Sequence, residues 1–269
     1  MLGFLFFYIF IGLITIGRKK LLVHALVSYL IAFTFEAVSI RTGFPFGMYK
    51  YVPEVINKEL SLFGVPIWDS MSFIFLTFFP YQISILIYSP LIKSRKQGLI
   101  TAHTKRIIHS LPVIITATFL MVMIDVIVDP LTLQGKKWFL GHLYYYPGGG
   151  SHFGVPVSNY LGWGLTGFVI LFIFTRIDKY LFMNNDSTGL QKINLPYKSL
   201  YSVILYYGVL AFNLTITFVI GLYDIGMSGL ITITFPTVLL ITVFFKKNNL
   251  ATQEEIETHR NDFPGLYDE

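Results

Sequence analysis

M-I-D-V-I-V-D-P-L, Met123–Leu131, closes an apolar run that begins near Ile107. It sets two aspartates into a stretch that otherwise reads as a membrane-spanning helix. An ionised carboxylate at the centre of such a helix costs roughly 2.5–3.5 kcal/mol on insertion scales. Asp125 and Asp129 are four apart, so they share one helix face, one turn from each other. Acids inside a membrane usually face a bundle interior or a cavity. The pair therefore marks a polar interior in an otherwise greasy molecule.

The rest of the chain supplies that bundle. It has 269 residues, 54% hydrophobic and only 13% charged, where a soluble domain carries about 25% charged residues. The hydrophobic runs predict an all-α, polytopic transmembrane helical bundle with about seven spans. These are Leu2–Gly17, Leu21–Ile40, Pro66–Leu91, Ile107–Val128, Val157–Leu181, Leu200–Gly221 and Met227–Phe245. The first is short for a 30 Å hydrocarbon core and the third is long enough to tilt. If the first does not span, six remain. The start lacks a basic region before its apolar run, and Arg18, Lys19 and Lys20 follow it. A retained first helix is expected there rather than a cleaved signal.

The basic residues sort by side. Arg18, Lys19, Lys20, Lys93, Arg95, Lys96, Lys105, Arg106, Arg176, Lys179, Lys192, Lys198, Lys246, Lys247 and Arg260 fall on one side, and Arg41, Lys50, Lys58, Lys136 and Lys137 on the other. The positive-inside rule then puts the N-terminus outside and the C-terminus in the cytoplasm of a multi-pass protein of the cell membrane. The net charge of +5 is small and confined to short loops. It reads as a topology signal, not a nucleic-acid footprint. Residues 1–247 are expected to form the membrane domain, and 248–269 an acidic cytoplasmic tail: a short helix with a capping box at Thr252–Glu255 and a frayed end. F-G-V-P occurs twice, at Phe63–Pro66 and Phe153–Pro156, each time at the entry to a span. Gly for a turn and Pro for a helix start would make it a repeated helix-entry device.

With no cysteine in the chain, thiolate nucleophiles, disulfides, Fe–S clusters and Cys-based zinc sites are excluded. Glu36, Asp69, Asp125, Asp129 and Asp224 all collect near the outer ends of spans. For Asp69 and Asp224 the expected role is capping and solvation of helix ends; Glu36, Asp125 and Asp129 point instead to a site. His142 and His152 lie in the outer loop, but no metal-ligand spacing such as H-E-x-x-H surrounds them, and hydrogen bonding is their expected role. Gly148-Gly149-Gly150 lacks the context of a phosphate loop and reads as a flexible connection. Burial in an apolar site favours the neutral form of a carboxylic acid. Such an acid can protonate an alkene, and carboxylate charge and aromatic faces can steady the cation that results. The 26 Phe and 17 Tyr suit an extended, unsaturated ligand. This chemistry requires no metal and no redox cofactor.

Four motifs carry a resemblance. E-A-V-S-I-R-T-G-F-P-F-G-M-Y-K-Y (Glu36–Tyr51), G-V-P-I-W (Gly64–Trp68), D-V-I-V-D-P (Asp125–Pro130) and G-V-P-V-S-N-Y-L-G-W (Gly154–Trp163) resemble the integral-membrane carotenoid biosynthesis family. That family includes the γ-carotene 1′-hydratases and the bisanhydrobacterioruberin hydratases. The resemblance implies cofactor-independent addition of water to a terminal ψ-end double bond of an acyclic carotenoid, giving a tertiary alcohol. Its partners are then the polyene, water and the lipid bilayer, alongside other enzymes of the pigment pathway. On this reading Asp125 or Asp129 is the general acid and Glu36 orients or deprotonates water. Tyr49, Tyr51, Trp68, Trp138, Tyr145 and Trp163 are candidates for the end-group pocket, and Asn159 for holding water or an acid. The rivals are an isoprenoid end-group cyclase or isomerase, a membrane lipid or ion transporter working through the same acids, and a scaffold subunit of a pigment-synthesis complex.

Overall fold

A computed structural model describes residues 2–94, 98–137, 141–182, 195–245 and 250–264. In chain order its elements begin with α1 (Leu2–Thr15), α2 (Arg18–Thr42), β1 (Lys50–Tyr51), α3 (Pro53–Lys58), β2 (Ser61–Leu62), β3 (Val65–Pro66), α4 (Ile67–Ser70) and α5 (Ser72–Tyr88). There follow β4 (Leu91–Ser94), β5 (Gly98–Thr101), α6 (Lys105–Ile108), α7 (Leu111–Thr132), β6 (Tyr144–Tyr145), α8 (Val157–Leu181), α9 (Tyr201–Val219), α10 (Tyr223–Phe245) and α11 (Gln253–Asp262).

The protein is a helical membrane bundle. Among the described residues six helices are long and apolar enough to cross a bilayer, α4 and α5 acting together as one. α1 is apolar but has 14 residues, about 21 Å of helix at 1.5 Å per residue, which falls short of a 30 Å core. α5 is the central helix; α7, α9, α2 and α1 all pack on it. Its Phe78 and Phe79 are fully enclosed beside Tyr8 and Ile11 of α1.

Local chemistry sets the helix limits. Gly17 precedes α2, and Gly43, in the left-handed conformation, closes it by donating its N–H to Ser39 O. Ser110 and Pro112 start α7 later than the apolar run suggests, and α6, capped by Thr104, takes up the first residues. α7 runs on to Thr132, through Pro130, so Asp129 lies within the helix and does not end it. α10 begins at Tyr223, which places the exposed Asp224 in its first turn. That leaves Asp224 in the helix-end role the sequence gives it.

Two segments repeat one plan. Leu62-Phe63-Gly64-Val65 and His152-Phe153-Gly154-Val155 form matching tight turns, with φ of 52° and 79° in the first pair of central residues and 51° and 94° in the second. Positive φ at both central residues is the type I′ signature. Val65 and Val155 are both fully buried, and Pro66 and Pro156 are the N-caps of α4 and α8. The F-G-V-P repeat is therefore a repeated helix-entry device. Around it, α2 packs on α8 and α7 packs on α5. Each of these contacts pairs the helix before one turn with the helix after the other. Between the halves β1 and β6 run antiparallel, Lys50 opposite Tyr145 and Tyr51 opposite Tyr144.

The far ends of the same helices carry a different polar group. Lys20, near the start of α2, and His109, just before α7, both bind Asp178 near the end of α8, each at 2.8 Å. α11 has the expected capping box at Thr252 and Glu255; the expected frayed end falls on residues 265–269, outside the described residues. His259 is buried and bonded to His103 O at 2.6 Å, while Asp262 accepts from Lys105 N at 2.7 Å.

Candidate functional site

Glu36 occupies the last two turns of α2 on the face that carries His24, Ser28, Ala32 and Ser39, all buried. A spacing of three or four keeps these residues in one stripe. Ser70 Oγ, at the end of α4, donates to Glu36 Oε2. One residue earlier, Asp69 accepts from the Tyr51 hydroxyl through Oδ2 at 2.6 Å. The first F-G-V-P turn thus delivers an acid and a hydroxyl to the end of α2.

The second turn delivers an amide to the end of α7. Asn159 stands three residues after Pro156, as Asp69 stands three after Pro66. Its Nδ2 donates to Asp125 Oδ2 at 2.8 Å and to Asp129 Oδ2 at 2.9 Å. With both amide hydrogens taken, the carbonyl oxygen is left to accept a bond from water or substrate. Asp129 also receives the Tyr144 hydroxyl, the Tyr146 hydroxyl at 3.2 Å and Thr132 Oγ1 at 3.1 Å. Four donors on one carboxyl group offset much of the cost of its burial.

Between the two sets lies a cavity of about 40 Å³ that opens outward, with about 320 Å³ of empty space when the adjoining open solvent is included. Glu36, Asp69 and Asn159 supply its polar wall; Phe46, Tyr49, Phe73, Tyr144, Tyr146 and Trp163 supply the aromatic one. Phe73 and Trp163 each stand seven residues after the proline of their turn, and they stack at 4.4 Å with 18° between planes. Overhead, Tyr49 lies 5.4 Å from Tyr51 and 5.7 Å from Tyr144, ring centre to ring centre, and Tyr144 lies 5.9 Å from Tyr146. Burial, and then the nearby carboxyl groups, push all four phenols above their usual range. They are neutral donors at physiological pH. Phe46 is held down by Ser39, whose hydroxyl accepts from Phe46 N at 3.1 Å and donates to Gly47 O at 3.0 Å. Gly162 lets that loop touch α8, since a methyl group there would sit 2.6 Å from the Phe46 ring.

A family model described as carotenoid biosynthesis protein matches residues 1–231, which contain every residue of this site. The chain belongs to that family. Bisanhydrobacterioruberin hydratase of Haloarcula japonica is similar to it: 26% identical over 159 residues, 58% of this chain and 45% of that protein. The likeness thus spans less than half of that relative's length. No solved structure matches significantly.

Within this carotenoid biosynthesis fold the expected site residues separate. Glu36, Tyr49, Asn159 and Trp163 line the cavity. Tyr51 is buried beside them and holds Asp69. Asp125 and Asp129 come together as their spacing predicts, but they stand one layer back, behind Asn159 and the two phenols. Trp68 and Tyr145 depart from expectation. Trp68 is 47% exposed, on the outer side of the short helix whose inner side presents Ser70 to Glu36. Tyr145 is 39% exposed because alternate residues of an extended strand face opposite ways; Tyr144 and Tyr146 turn inward in its place. Trp138 lies outside the described residues. His142 is exposed; His152 is bonded to Tyr160 at 2.5 Å and Ser228 at 3.2 Å, a structural role as expected. Of the triple glycine only Gly150 is packed, lying against the backbone of Val155 and Pro156 with no room for a side chain; Gly148 and Gly149 are exposed with open space beside them, and Gly149 N reaches Tyr146 O at 2.9 Å.

The sequence reading missed Asp69, Ser70, Phe46, Phe73, Tyr144 and Tyr146. The signal for Asp69 was the repeat carried three residues further, and for Phe73 seven.

Proposed function

We propose that this chain adds water to a terminal isoprenoid double bond of an acyclic carotenoid, giving a tertiary alcohol, with no cofactor. The observation that carries the reading is one cavity lined by both carboxyl groups and aromatic rings. A proton passes from a carboxyl group to the less substituted alkene carbon. The positive charge that develops on the other carbon faces Phe73, Trp163 and the tyrosines, with the Asp125–Asp129 pair behind Asn159 as its counter-charge. Water held on the Asn159 carbonyl adds to that carbon, and Glu36 takes the proton it releases. The cycle needs one carboxyl group that carries its proton and one that has lost it, and repulsion between neighbouring carboxylates in a water-poor site favours that division. Asp125 and Asp129 act through the amide and phenols they hold.

The polyene enters from the bilayer, where it partitions in any case. The site end of the bundle faces away from the cytoplasm of a cell-membrane protein, in keeping with the charge asymmetry of the loops.

The test is expression in a host that accumulates an acyclic carotenoid. Pigment heavier by one water, with a tertiary hydroxyl at the end group, is the expected product. A cyclised or double-bond-shifted pigment of unchanged mass would replace hydration with cyclisation or isomerisation. Unaltered pigment across several acyclic carotenoids would end the enzymatic reading.

A further inference from the structure

We propose that Asp69 is the proton donor of this site and that it works with Glu36 as a carboxyl pair through which one proton circulates. The inference rests on the hydration reading above and deepens it, since that reading leaves the donor unassigned.

Three observations carry it. First, of the carboxyl groups near the cavity, Glu36 and Asp69 are the two that form its wall. Asp125 and Asp129 each spend Oδ2 on the Asn159 amide, and Asp129 is further covered by Tyr144, Tyr146 and Thr132. An alkene carbon in the cavity meets the Asn159 amide before it meets either aspartate.

Second, Asp69 and Glu36 are each gripped through one oxygen. Tyr51 donates to Asp69 Oδ2 and Ser70 donates to Glu36 Oε2. Among the described residues no hydrogen bond reaches Asp69 Oδ1 or Glu36 Oε1, so each group keeps one oxygen for a proton, water or substrate. Both line the wall, but Asp69 is part-exposed whereas Glu36 is buried. Proton supply from outside therefore reaches Asp69 first.

Third, the repeat isolates what differs. The two turns present position Pro+3 to the same cavity, as an acid in one half and an amide in the other. Either group can hold water or orient a ligand; a carboxyl group can also surrender a proton.

The cycle balances without a further reactant. The Asp69 O–H bond breaks as the alkene π pair forms a C–H bond, leaving Asp69 as carboxylate and a tertiary cation. A water lone pair forms the C–O bond. The proton shed by that oxygen goes to the Glu36 carboxylate, and passes from Glu36 across the shared cavity to Asp69 to restore the starting state.

The experiment incubates membranes carrying the enzyme with an acyclic carotenoid in D2O, reading both hydrated product and deuterium in recovered substrate. Glu36→Gln should protonate but not capture water efficiently: hydration falls at least 10²-fold while deuterium still enters the end group. Asp69→Asn should lose both by at least 10²-fold, and Asp69→Glu should recover exchange. Hydration by Asp69→Asn within about threefold of wild type, or deuterium entry that persists in it, would overturn the assignment. Where Asp69→Asn does not accumulate in membranes, Tyr51→Phe decides. Loss of the phenol bonded to Asp69 should move the pH profile of exchange, and an unmoved profile counts against the donor role. A wild-type enzyme that hydrates nothing instead sinks the reading beneath it, whatever the variants do.

Discussion

The two halves of the bundle, α2 to α5 and α7 to α8, build the same turn, bury the same valine and start the next helix from the same proline. They then place different chemistry on matching positions. The first half presents a carboxyl at Asp69 and a ring at Phe73; the second presents an amide at Asn159 and a ring at Trp163. The acids of α2 and α7 follow suit. Glu36 stands open to the cavity with one hydroxyl behind it, whereas Asp125 and Asp129 are closed in by an amide, two phenols and a threonine. The turn is the same in both halves and the polar groups differ: the first half sets its carboxyls against the cavity, and the second holds its carboxyls behind an amide and phenols.

Forcing the halves to agree tests this most severely. Asn159→Asp copies the first half's acid into the second and sets a third carboxyl against Asp125 and Asp129 in place of their shared donor. Loss of about 5 kcal/mol is expected, the upper range for a buried charge stripped of its partner, read as failure to accumulate folded protein in membranes. Normal accumulation would show that the second set is less enclosed than its hydrogen bonds imply. Phe73→Ala breaks the stacked pair on which the halves meet, for about 3 kcal/mol, read as a lower unfolding temperature in detergent together with loss of product. Tyr144→Phe takes one donor from Asp129 and should cost about 2 kcal/mol, the range for a hydrogen bond to a charged group; Tyr49→Phe, whose hydroxyl among the described residues meets only Tyr51, at 3.4 Å, should cost less. The smallest effect is a gain. Phe63→Asn and Phe153→Asn place a residue that tolerates positive φ at strained turn positions, each adding up to about 1 kcal/mol. Unequal gains would mean that the two turns are not equivalent.

Much of this was legible in the residues. Hydrophobic runs set off by Gly17, Gly43 and Pro156 locate the spans, and α8 matches its run residue for residue. Four-residue spacing puts Asp125 and Asp129 on one face. Their depth behind Asn159 was not legible, because it depends on how α8 lies against α7, which no local pattern encodes. Tyr144, Tyr145 and Tyr146 look alike in sequence; which of them turn inward depends on a two-residue strand whose partner lies nearly a hundred residues away. Asp69 was hidden differently. An acid just inside a helix start has a sufficient ordinary explanation, and only the distance from the preceding proline, compared with that of Asn159, argues for more.

The pairing of Lys50–Tyr51 with Tyr144–Tyr145 has a consequence for how such a chamber could arise. Each strand is too short to fold alone, and each belongs to a different half, so neither half can build its own ceiling. The chamber is therefore roofed only when the α2–α5 half and the α7–α8 half have come together.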